Sequence, residues 1–234
     1  MISVCMATYN GQDYLKEQLD SILCQIQEED ELIVSDDGST DQTIHILNEY
    51  QRMHQNIVVL KGPKKGVQKN FENALKHAHG DIVFLSDQDD VWLEGKAQSV
   101  LKVFQDSKAF VVLHNANIVD AHRNKLDQTV FELRGSKPGL YHNLYKNAYV
   151  GCCMAFRKEV LKYALPFPDK IEMHDWWIGL VAEKMGKTIL IDKPYLDYRR
   201  HDENVSSLHH HPFSKMISNR LYFIKELMKV HIHA

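Results

Sequence analysis

Residues 80–92 read GDIVFLSDQDDVW, an apolar run followed directly by three carboxylates. The run predicts a buried strand, because a short apolar segment bounded by turn residues is typical of strands covered on both faces. The carboxylates of Asp87, Asp89 and Asp90 repel one another unless a cation or a hydrogen-bond network compensates. The segment therefore predicts a site for a positively charged ligand at the carboxyl end of a core strand.

The chain before this segment alternates between strands and helices. Apolar runs predict strands at residues 2–7, 31–35, 57–61 and 81–85. Leu15, Leu19 and Ile22 recur at helical spacing after the first strand, and residues 67–79 repeat that pattern after the third. Ser39, with Gln42 at the capping-box spacing, predicts the start of the helix that follows the second strand.

This alternation predicts an α/β fold in which a mostly parallel, Rossmann-like sheet is sandwiched by helices. Ligands of such sheets bind at the carboxyl ends of the strands. Polar clusters follow three of the predicted strands there, at residues 8–10, 36–37 and 87–90. A nucleotide needs acceptors for its base and ribose and a metal for its diphosphate, so the three clusters together predict a nucleotide site.

The pattern loosens after residue 95. It predicts a helix to about residue 104, strands at 110–113, 149–156 and 188–192, a variable polar stretch at 120–146, and a helix at 175–185 closed by Gly186. Residues 212–233 place apolar side chains near helical spacing, with basic residues among them. The predicted organisation is a domain at residues 1–208 and a C-terminal amphipathic helix within residues 209–234. Histidines 209–211 are interpreted as a solvated link.

Composition narrows the classes of partner. The formal net charge of -3, with acids and bases spread along the chain, gives no field suited to nucleic acid. The four cysteines contain no C-x-x-C pair and the N-terminus lacks the basic region of a signal peptide, which predicts a reduced, cytoplasmic protein. No window reaches the roughly 18 apolar residues of a membrane span, although contact with the membrane surface stays open.

Common ligand-binding motifs fit poorly. An EF-hand calcium loop starting at Asp87 would have Val91 at its fifth position and no glycine at its sixth. Mg²⁺ or Mn²⁺ fits better, because such ions take one or two carboxylates and fill the other positions with water and phosphate oxygens. Residues 62–69 lack the P-loop spacing, and no G-x-G-x-x-G follows the first strand. The carboxylates could alternatively cap the next helix or accept backbone N–H groups.

Six blocks in order carry a family resemblance. They are SVCMATYNGQDYLKEQLDSILCQ, ELIVSDDGSTDQT, GVQKNFENAL, GDIVFLSDQDDVW, HDWW and YRRHDENVS. Together they resemble the family-2 glycosyltransferases with the GT-A fold, especially bacterial rhamnosyltransferase-like enzymes of surface polysaccharide synthesis. The resemblance implies an inverting, metal-dependent hexosyltransferase with a dTDP- or UDP-linked donor sugar and a glycan or lipid-linked acceptor.

The same resemblance implies roles for individual residues. The residues implied to bind the nucleotide sugar are Ala7, Thr8, Tyr9, Asp37, Asn70, Asp87, Gln88 and Arg199. Asp89 and His201 are implied to bind the Mg²⁺ or Mn²⁺ ion. The family's usual E-D pair reads HD here, so His174 replaces the Glu and Asp175 keeps the position of the catalytic base. Burial beside the following tryptophans is expected to raise the pKa of Asp175.

Other hypotheses remain open from sequence. One is a catalytically silent module that binds nucleotide sugars, which the replacement at His174 motivates. Another is a scaffold that docks on a membrane through the C-terminal helix. That helix could equally pack on its own domain or form a dimer contact. Cys152 and Cys153 are interpreted as small packing residues.

Overall fold

The computed structural model describes residues 1–201 and 213–232. The predicted domain boundary after residue 208 and histidines 209–211 lie outside the described residues. The strands are β1 (Ile2–Thr8), β2 (Glu31–Asp36), β3 (Ile57–Lys61), β4 (Ile82–Ser86), β5 (Val91–Trp92), β6 (Ala109–Val119), β7 (Lys125–Thr129), β8 (Met154–Arg157) and β9 (Lys187–Arg199). The helices are α1 (Leu15–Leu23), α2 (Thr43–Met53), α3 (Val67–Lys76), α4 (Lys96–Asp106), α5 (Val130–Arg134), α6 (Leu140–Tyr145), α7 (Leu161–Ala164), α8 (His174–Met185) and α9 (Phe213–Lys229).

The strands form one sheet in the order β3-β2-β1-β4-β8-β6-β9-β5, with β7 paired to β6. The first four of these are parallel neighbours, β8 runs antiparallel between β4 and β6, and β6 and β9 are parallel again. This topology confirms the predicted mostly parallel α/β fold. The register sets Thr8 beside Asp36 and Met6 beside Ser86, so the carboxyl ends of β1, β2 and β4 share one edge.

Helices cover both faces of the sheet, because successive side chains of a strand point to opposite faces. Val4 and Met6 of β1 pack in the same cluster as Leu19 of α1. Cys5, between them, packs in the opposite cluster with Phe71 of α3. Because both faces of β1 are buried, the strand reads as a continuous apolar run rather than an alternating one.

The predicted start of α2 at Ser39 is wrong, since the helix begins at Thr43. The Ser39 hydroxyl instead donates to Asp36 Oδ2 at 2.5 Å, and the Ser39 backbone N–H donates to Asp36 Oδ1 at 2.8 Å. The side chain that could have capped the helix therefore closes the turn after β2. Capping-box spacing alone does not distinguish these two uses of a serine.

The second half of the chain differs from its predicted outline. β6 and β9 extend well beyond the predicted strands, because they pair with each other along most of their length and so carry polar residues such as His114 and Asn115 within the ladder. The predicted strand at 149–156 is instead a 3₁₀ turn, Gly151–Cys153, followed by β8. The variable stretch at 120–146 contains β7, α5 and α6.

The C-terminal helix α9 packs on the domain. Phe223 and Leu227 are buried, and the Phe223 ring lies 4.4 Å from the ring of Trp176 in α8. Within residues 1–201 and 213–232, no helix has the length and apolar character required to cross a membrane.

Candidate active site

The turn after β2 is built around Asp36. Its Oδ2 accepts from Thr8 Oγ1 at 2.9 Å, and its Oδ1 accepts from the Gly38 N–H at 3.0 Å. Ala7 is partly exposed at this edge, and the Tyr9 side chain is 57% exposed. Thr8 therefore anchors the turn, whereas Ala7 and Tyr9 keep exposed surface at this edge, and contact of the three residues with a nucleotide remains a prediction.

Asp37 connects a second loop, at residues 64–66, to the same turn by hydrogen bonds. Its two carboxylate oxygens accept from the backbone N–H groups of Lys64 at 2.6 Å and Gly66 at 2.8 Å. Gly38 has φ +95°, and a Cβ there would come within 2.6 Å of Lys64 Cε. The left-handed backbone is what favours glycine here, since the end of the flexible Lys64 side chain could move away from a Cβ. The sequence contained no local signal for the position of Lys64.

Asn70 and Gln88 join the strand ends through backbone groups. Asn70 Nδ2 donates to the carbonyl oxygens of Thr8 at 3.2 Å and Ser35 at 2.8 Å. Gln88 Oε1 accepts from the Tyr9 N–H at 2.9 Å, and its Nε2 donates to the Tyr9 carbonyl at 3.1 Å. Both side chains shape the rim of the site, and their direct contact with a nucleotide remains a prediction.

The acidic segment, residues 87–90, contains one buried carboxylate, that of Asp90, and two that reach the rim of the site, those of Asp87 and Asp89. Asp90 is fully buried, and its Oδ1 accepts from the Arg199 N–H at 3.0 Å. Burial and the charges of Asp89 and Asp87 raise the pKa of Asp90 well above its ordinary value. Asp87 is partly exposed, and burial of its carboxyl, then the charges of Asp89 and Asp175, raise its pKa to about 7.

Lys96 lies beneath this segment and was missed by the sequence reasoning. Its buried Nζ donates to the Cys152 carbonyl at 2.8 Å and lies 4.1 Å from the centroid of the Trp92 ring. Burial lowers the pKa of Lys96 to about 8, and the acids nearby oppose that shift. A signal existed, because Lys96 shares the buried face of α4 with Val100 and Phe104 at four-residue spacing.

Asp89 and His201 meet at the rim. His201 Nε2 and Asp89 Oδ2 are 2.9 Å apart, and their side chains are 11% and 15% exposed. Two candidate metal ligands separated by 112 positions are thus adjacent and within reach of solvent. A carboxylate oxygen is the ligand that Mg²⁺ and Mn²⁺ prefer, and such ions take phosphate and water oxygens as further ligands.

A second group with metal-ligand chemistry lies deeper. Ligand atoms of Asp87, Asp90 and Cys152 all lie within 4.8 Å of one another. Burial raises the pKa of the Cys152 thiol well above its ordinary value, so the sulfur stays protonated. A protonated thiol is a poor ligand for a hard cation, so Asp89 and His201 fit the expected ion better.

Arg199 is directed toward the protein. Its buried guanidinium donates to the Asp89 carbonyl at 2.7 Å, to the Ala121 carbonyl at 2.7 Å and to Glu17 Oε2 at 2.5 Å. These contacts hold the backbone of the acidic segment in place. The contact with a nucleotide sugar that the family resemblance implies for Arg199 remains a prediction.

Asp175 begins α8 beside the acidic segment. Its Oδ2 accepts from the Gly151 N–H at 2.9 Å, and its Oδ1 accepts from the Trp176 N–H at 2.7 Å. The side chain is buried, and burial raises the pKa of Asp175 to about 6 despite these hydrogen bonds and the positive charge of Arg134. The 3₁₀ turn at Gly151 thus supplies a backbone donor that no local pattern predicted.

His174 is buried against Asp175 and stacks on Phe71 with 4.1 Å between ring centroids. Neither ring nitrogen has a hydrogen-bond partner among the described residues. Burial lowers the pKa of His174 to about 3, so the imidazole is neutral at physiological pH. The replacement of the family's usual acid therefore leaves one titrating carboxylate at this helix start instead of two.

The raised pKa of Asp175 predicts a pH dependence. The family resemblance implies that Asp175 is a general base, which must be deprotonated to act, so kcat/KM for transfer is expected to rise with pH, reach half its maximum near pH 6 and level off above it. The measurement is the initial rate of nucleoside diphosphate release across this range at subsaturating acceptor. A rate independent of pH between 5 and 8 would contradict the role of Asp175 as the base, since pH in that range spans the pKa of about 6.

The mostly parallel sheet with an acidic edge and a buried carboxylate beside it is the arrangement of a GT-A glycosyltransferase that uses a nucleotide-sugar donor. The profile of the family described as Glycosyl transferase family 2 matches residues 3–164, and the chain belongs to that family. The predicted family is therefore confirmed.

Individual relatives agree with this placement. The chain is 29% identical over 215 residues to dTDP-rhamnosyl transferase RfbG of Shigella flexneri, covering 85% of this chain and 72% of the relative. It is 27% identical over 213 residues to UDP-Glc:alpha-D-GlcNAc-diphosphoundecaprenol beta-1,3-glucosyltransferase WfaP of Escherichia coli, covering 88% and 80%.

Solved structures share the fold. S. aureus TarS 1-349 in complex with UDP-GlcNAc superposes with a TM-score of 0.76 at 21% identity, over 99% of this chain and 68% of that one. Mannosyltransferase PcManGT from Pyrobaculum calidifontis, in complex with GDP-Man and Mn2+, gives a TM-score of 0.66 at 20% identity, over 100% and 65%. At these identities the likeness concerns the fold alone.

Proposed function

We propose that this protein is an inverting, metal-dependent glycosyltransferase of surface polysaccharide synthesis. It transfers a hexose from a dTDP- or UDP-linked donor to a hydroxyl of a glycan or lipid-linked acceptor. The observation that carries the proposal is the position of Asp175, a buried carboxylate whose charge acts on Asp87 of the acidic segment. A base beside a diphosphate site is what transfer to a hydroxyl requires.

The donor is expected to lie along the edge formed by β1, β2 and β4. Ala7, Tyr9 and the loop held by Asp37 face the nucleoside, and Asp87 faces the ribose. Asp89 and His201 hold the cation, which when bound neutralises negative charge on the departing diphosphate. Arg199 and Gln88 keep the acidic segment and the end of β1 at fixed positions through the backbone contacts described above.

Asp175 then acts on the acceptor. The acceptor hydroxyl oxygen attacks the anomeric carbon from the side opposite the diphosphate, and its proton passes to the carboxylate of Asp175. The bond from the anomeric carbon to the phosphate oxygen breaks, and its electron pair leaves with the nucleoside diphosphate. A single displacement of this kind inverts the anomeric configuration.

Two further observations bear on where in the cell transfer occurs. All four cysteines are free thiols, which suits a reducing compartment. The relatives named above include a dTDP-rhamnosyl transferase and an enzyme acting on a diphosphoundecaprenol-linked sugar. We therefore propose that transfer occurs on the cytoplasmic side, at the inner face of the cell membrane.

The test is transfer itself. Purified protein is incubated with dTDP- or UDP-sugars, Mn²⁺ and a lipid-linked acceptor extract, and released nucleoside diphosphate is measured with anomeric analysis of the product. Inverted product formed only with the cation supports the proposal. Tight nucleotide binding without transfer to any acceptor would instead favour the catalytically silent binding module.

Gly151→Ala is expected to impair acceptor use selectively. A Cβ on Gly151 would lie 3.5 Å from Asp175 Cβ and 3.6 Å from His174 Nε2, which are ordinary contacts, so the variant should fold normally. The added methyl would nevertheless occupy the space beside the base. Displacing the attacking oxygen by about 1 Å can cost roughly 100-fold in rate. We expect kcat/KM for the acceptor to fall by at least tenfold, on the order of that effect, with UDP affinity unchanged.

Calorimetry with UDP and steady-state kinetics with varied acceptor measure the two quantities. A second glycine-to-alanine change would be a natural control, but Gly66→Ala would strain the backbone, because Gly66 has φ +85°. Ala148→Gly offers a better one, since it alters a buried residue of the same loop without adding volume. Equal acceptor kinetics in the wild type and Gly151→Ala would show that the acceptor does not approach this glycine.

A further inference from the structure

The outer side of α9 carries a continuous apolar stripe. It consists of Ile217, Leu221, Ile224 and Met228, which are between 41% and 66% exposed. The spacing of four, three and four residues places them in one row on the helix. Scattered apolar side chains are ordinary on a surface, whereas an uninterrupted row beside an already buried face indicates a contact surface.

The neighbouring helix α6 extends this stripe. Tyr141 and Tyr145 are 86% and 76% exposed, the first and second most exposed large apolar side chains in the described chain. Arg220 Nε of α9 donates to the Tyr145 carbonyl at 2.9 Å, which joins the two helices. Exposed tyrosines beside an apolar row are typical of segments that lie at a membrane–water interface.

Charge decides which partner fits the stripe. The helix contains Lys215, Arg220, Lys225 and Lys229 against one acid, Glu226. The whole chain has a net charge of -3, so the positive charge is a local property of α9. In a two-fold dimer through the stripe the net positive charge of each α9 would face that of its copy, whereas an anionic lipid surface complements it.

We propose that the stripe of Ile217, Leu221, Ile224 and Met228, with Tyr141 and Tyr145, docks the protein on anionic lipid, with α9 in the plane of the interface. The helix lies beside α8, because Lys184 Nζ of α8 donates to the Leu227 carbonyl at 2.9 Å, and Asn219 Nδ2 donates to Glu172 Oε2, just before α8, at 2.6 Å. The consequence for catalysis rests on the proposed function: with a lipid-linked acceptor, this contact holds the helix of Asp175 beside the bilayer.

The experiment is co-sedimentation of the full chain with vesicles. Wild type should bind vesicles of phosphatidylcholine mixed with phosphatidylglycerol and bind phosphatidylcholine alone weakly. In Leu221→Asp with Met228→Asp two apolar side chains would no longer enter the lipid interface, so this variant should bind the vesicles at least about tenfold more weakly. Lys225→Glu changes the charge of α9 by two units and should weaken binding to the anionic vesicles by roughly tenfold or more.

A matched control carries the same two changes elsewhere. Ile44→Asp with Met53→Asp also places two acids at exposed apolar positions, in α2, and should bind vesicles as the wild type does. Equal binding by the two double variants, no preference for anionic lipid, or a dimer in light scattering that Leu221→Asp with Met228→Asp dissociates would each overturn the proposal. Far-ultraviolet circular dichroism checks that every variant is folded, and wild type that binds vesicles but neither UDP nor dTDP would count only against the proposed transfer.

Discussion

Asp175→Asn is expected to abolish sugar transfer and to leave nucleotide binding unchanged. An amide cannot accept the acceptor's proton, and the loss of a positioned general base typically reduces a rate by roughly 10²- to 10⁴-fold. The amide has nearly the same size, and its carbonyl can still accept from the Gly151 N–H that now bonds Asp175 Oδ2, while the bond from the Trp176 N–H to Oδ1 is lost. The substitution therefore separates chemistry from binding.

The measurement pairs kcat/KM for the acceptor with calorimetric titration of UDP and dTDP. Asp169→Asn is the control, because Asp169 is an exposed acid of the same loop region. It should transfer at the wild-type rate. A rate for Asp175→Asn within a few-fold of the wild type would remove Asp175 from the mechanism, and the buried carboxylate would then be a structural N-terminal residue of α8 that the helix dipole favours.

Asp89→Asn is expected to eliminate the contribution of the cation to donor binding. The Asp89 carboxylate lies 2.9 Å from His201 Nε2 at the rim, whereas Asp90 is buried and bonded to the Arg199 N–H. An amide of the same shape keeps the packing but removes the negative charge that a divalent ion requires. The affinity for UDP in the presence of Mn²⁺ should fall by about 100-fold, as expected when a bound cation supplies several kcal/mol.

Titration of UDP and of dTDP, each with Mn²⁺ or with EDTA, measures this effect and identifies the preferred base. Wild type in EDTA should resemble Asp89→Asn in Mn²⁺, since both lack the ion. Asp13→Asn, at an exposed position after β1, should bind as the wild type does. Binding that is equally tight with and without the metal in the wild type would exclude the assignment of Asp89 and His201 as ligands.

Local sequence was sufficient to predict the first four strands of the sheet and the helices between them. The apolar run of β4 and the carboxylates that follow it are adjacent in the chain, so the strand and its acidic end could be predicted together. Helical and strand periodicities are likewise local, and they placed the first four strands and the helices between them within a few residues. Order along the chain and the rule for parallel sheets then put the polar clusters on one edge.

Two predictions of local structure were wrong: the start of α2 at Ser39 and the lengths of β6 and β9. Ser39 could cap a helix or close a turn, and its contact with Asp36 decided for the turn. β6 and β9 were predicted too short, because the polar residues within them gain their backbone partners from each other across the sheet. In both cases the deciding hydrogen bonds come from contacts that the pattern of one segment does not contain.

The sequence by itself therefore determined the class of fold, the edge of the sheet that carries the site and the residue types available there. Tertiary structure alone decided what those residues do. It turned Arg199 toward the Asp89 carbonyl and Glu17, 182 positions away, placed Lys96 under the acidic segment, and set the Gly151 N–H against Asp175. The physical reason is that desolvation and hydrogen-bond geometry, which fix the pKa and the orientation of each group, arise from neighbours distant in the chain.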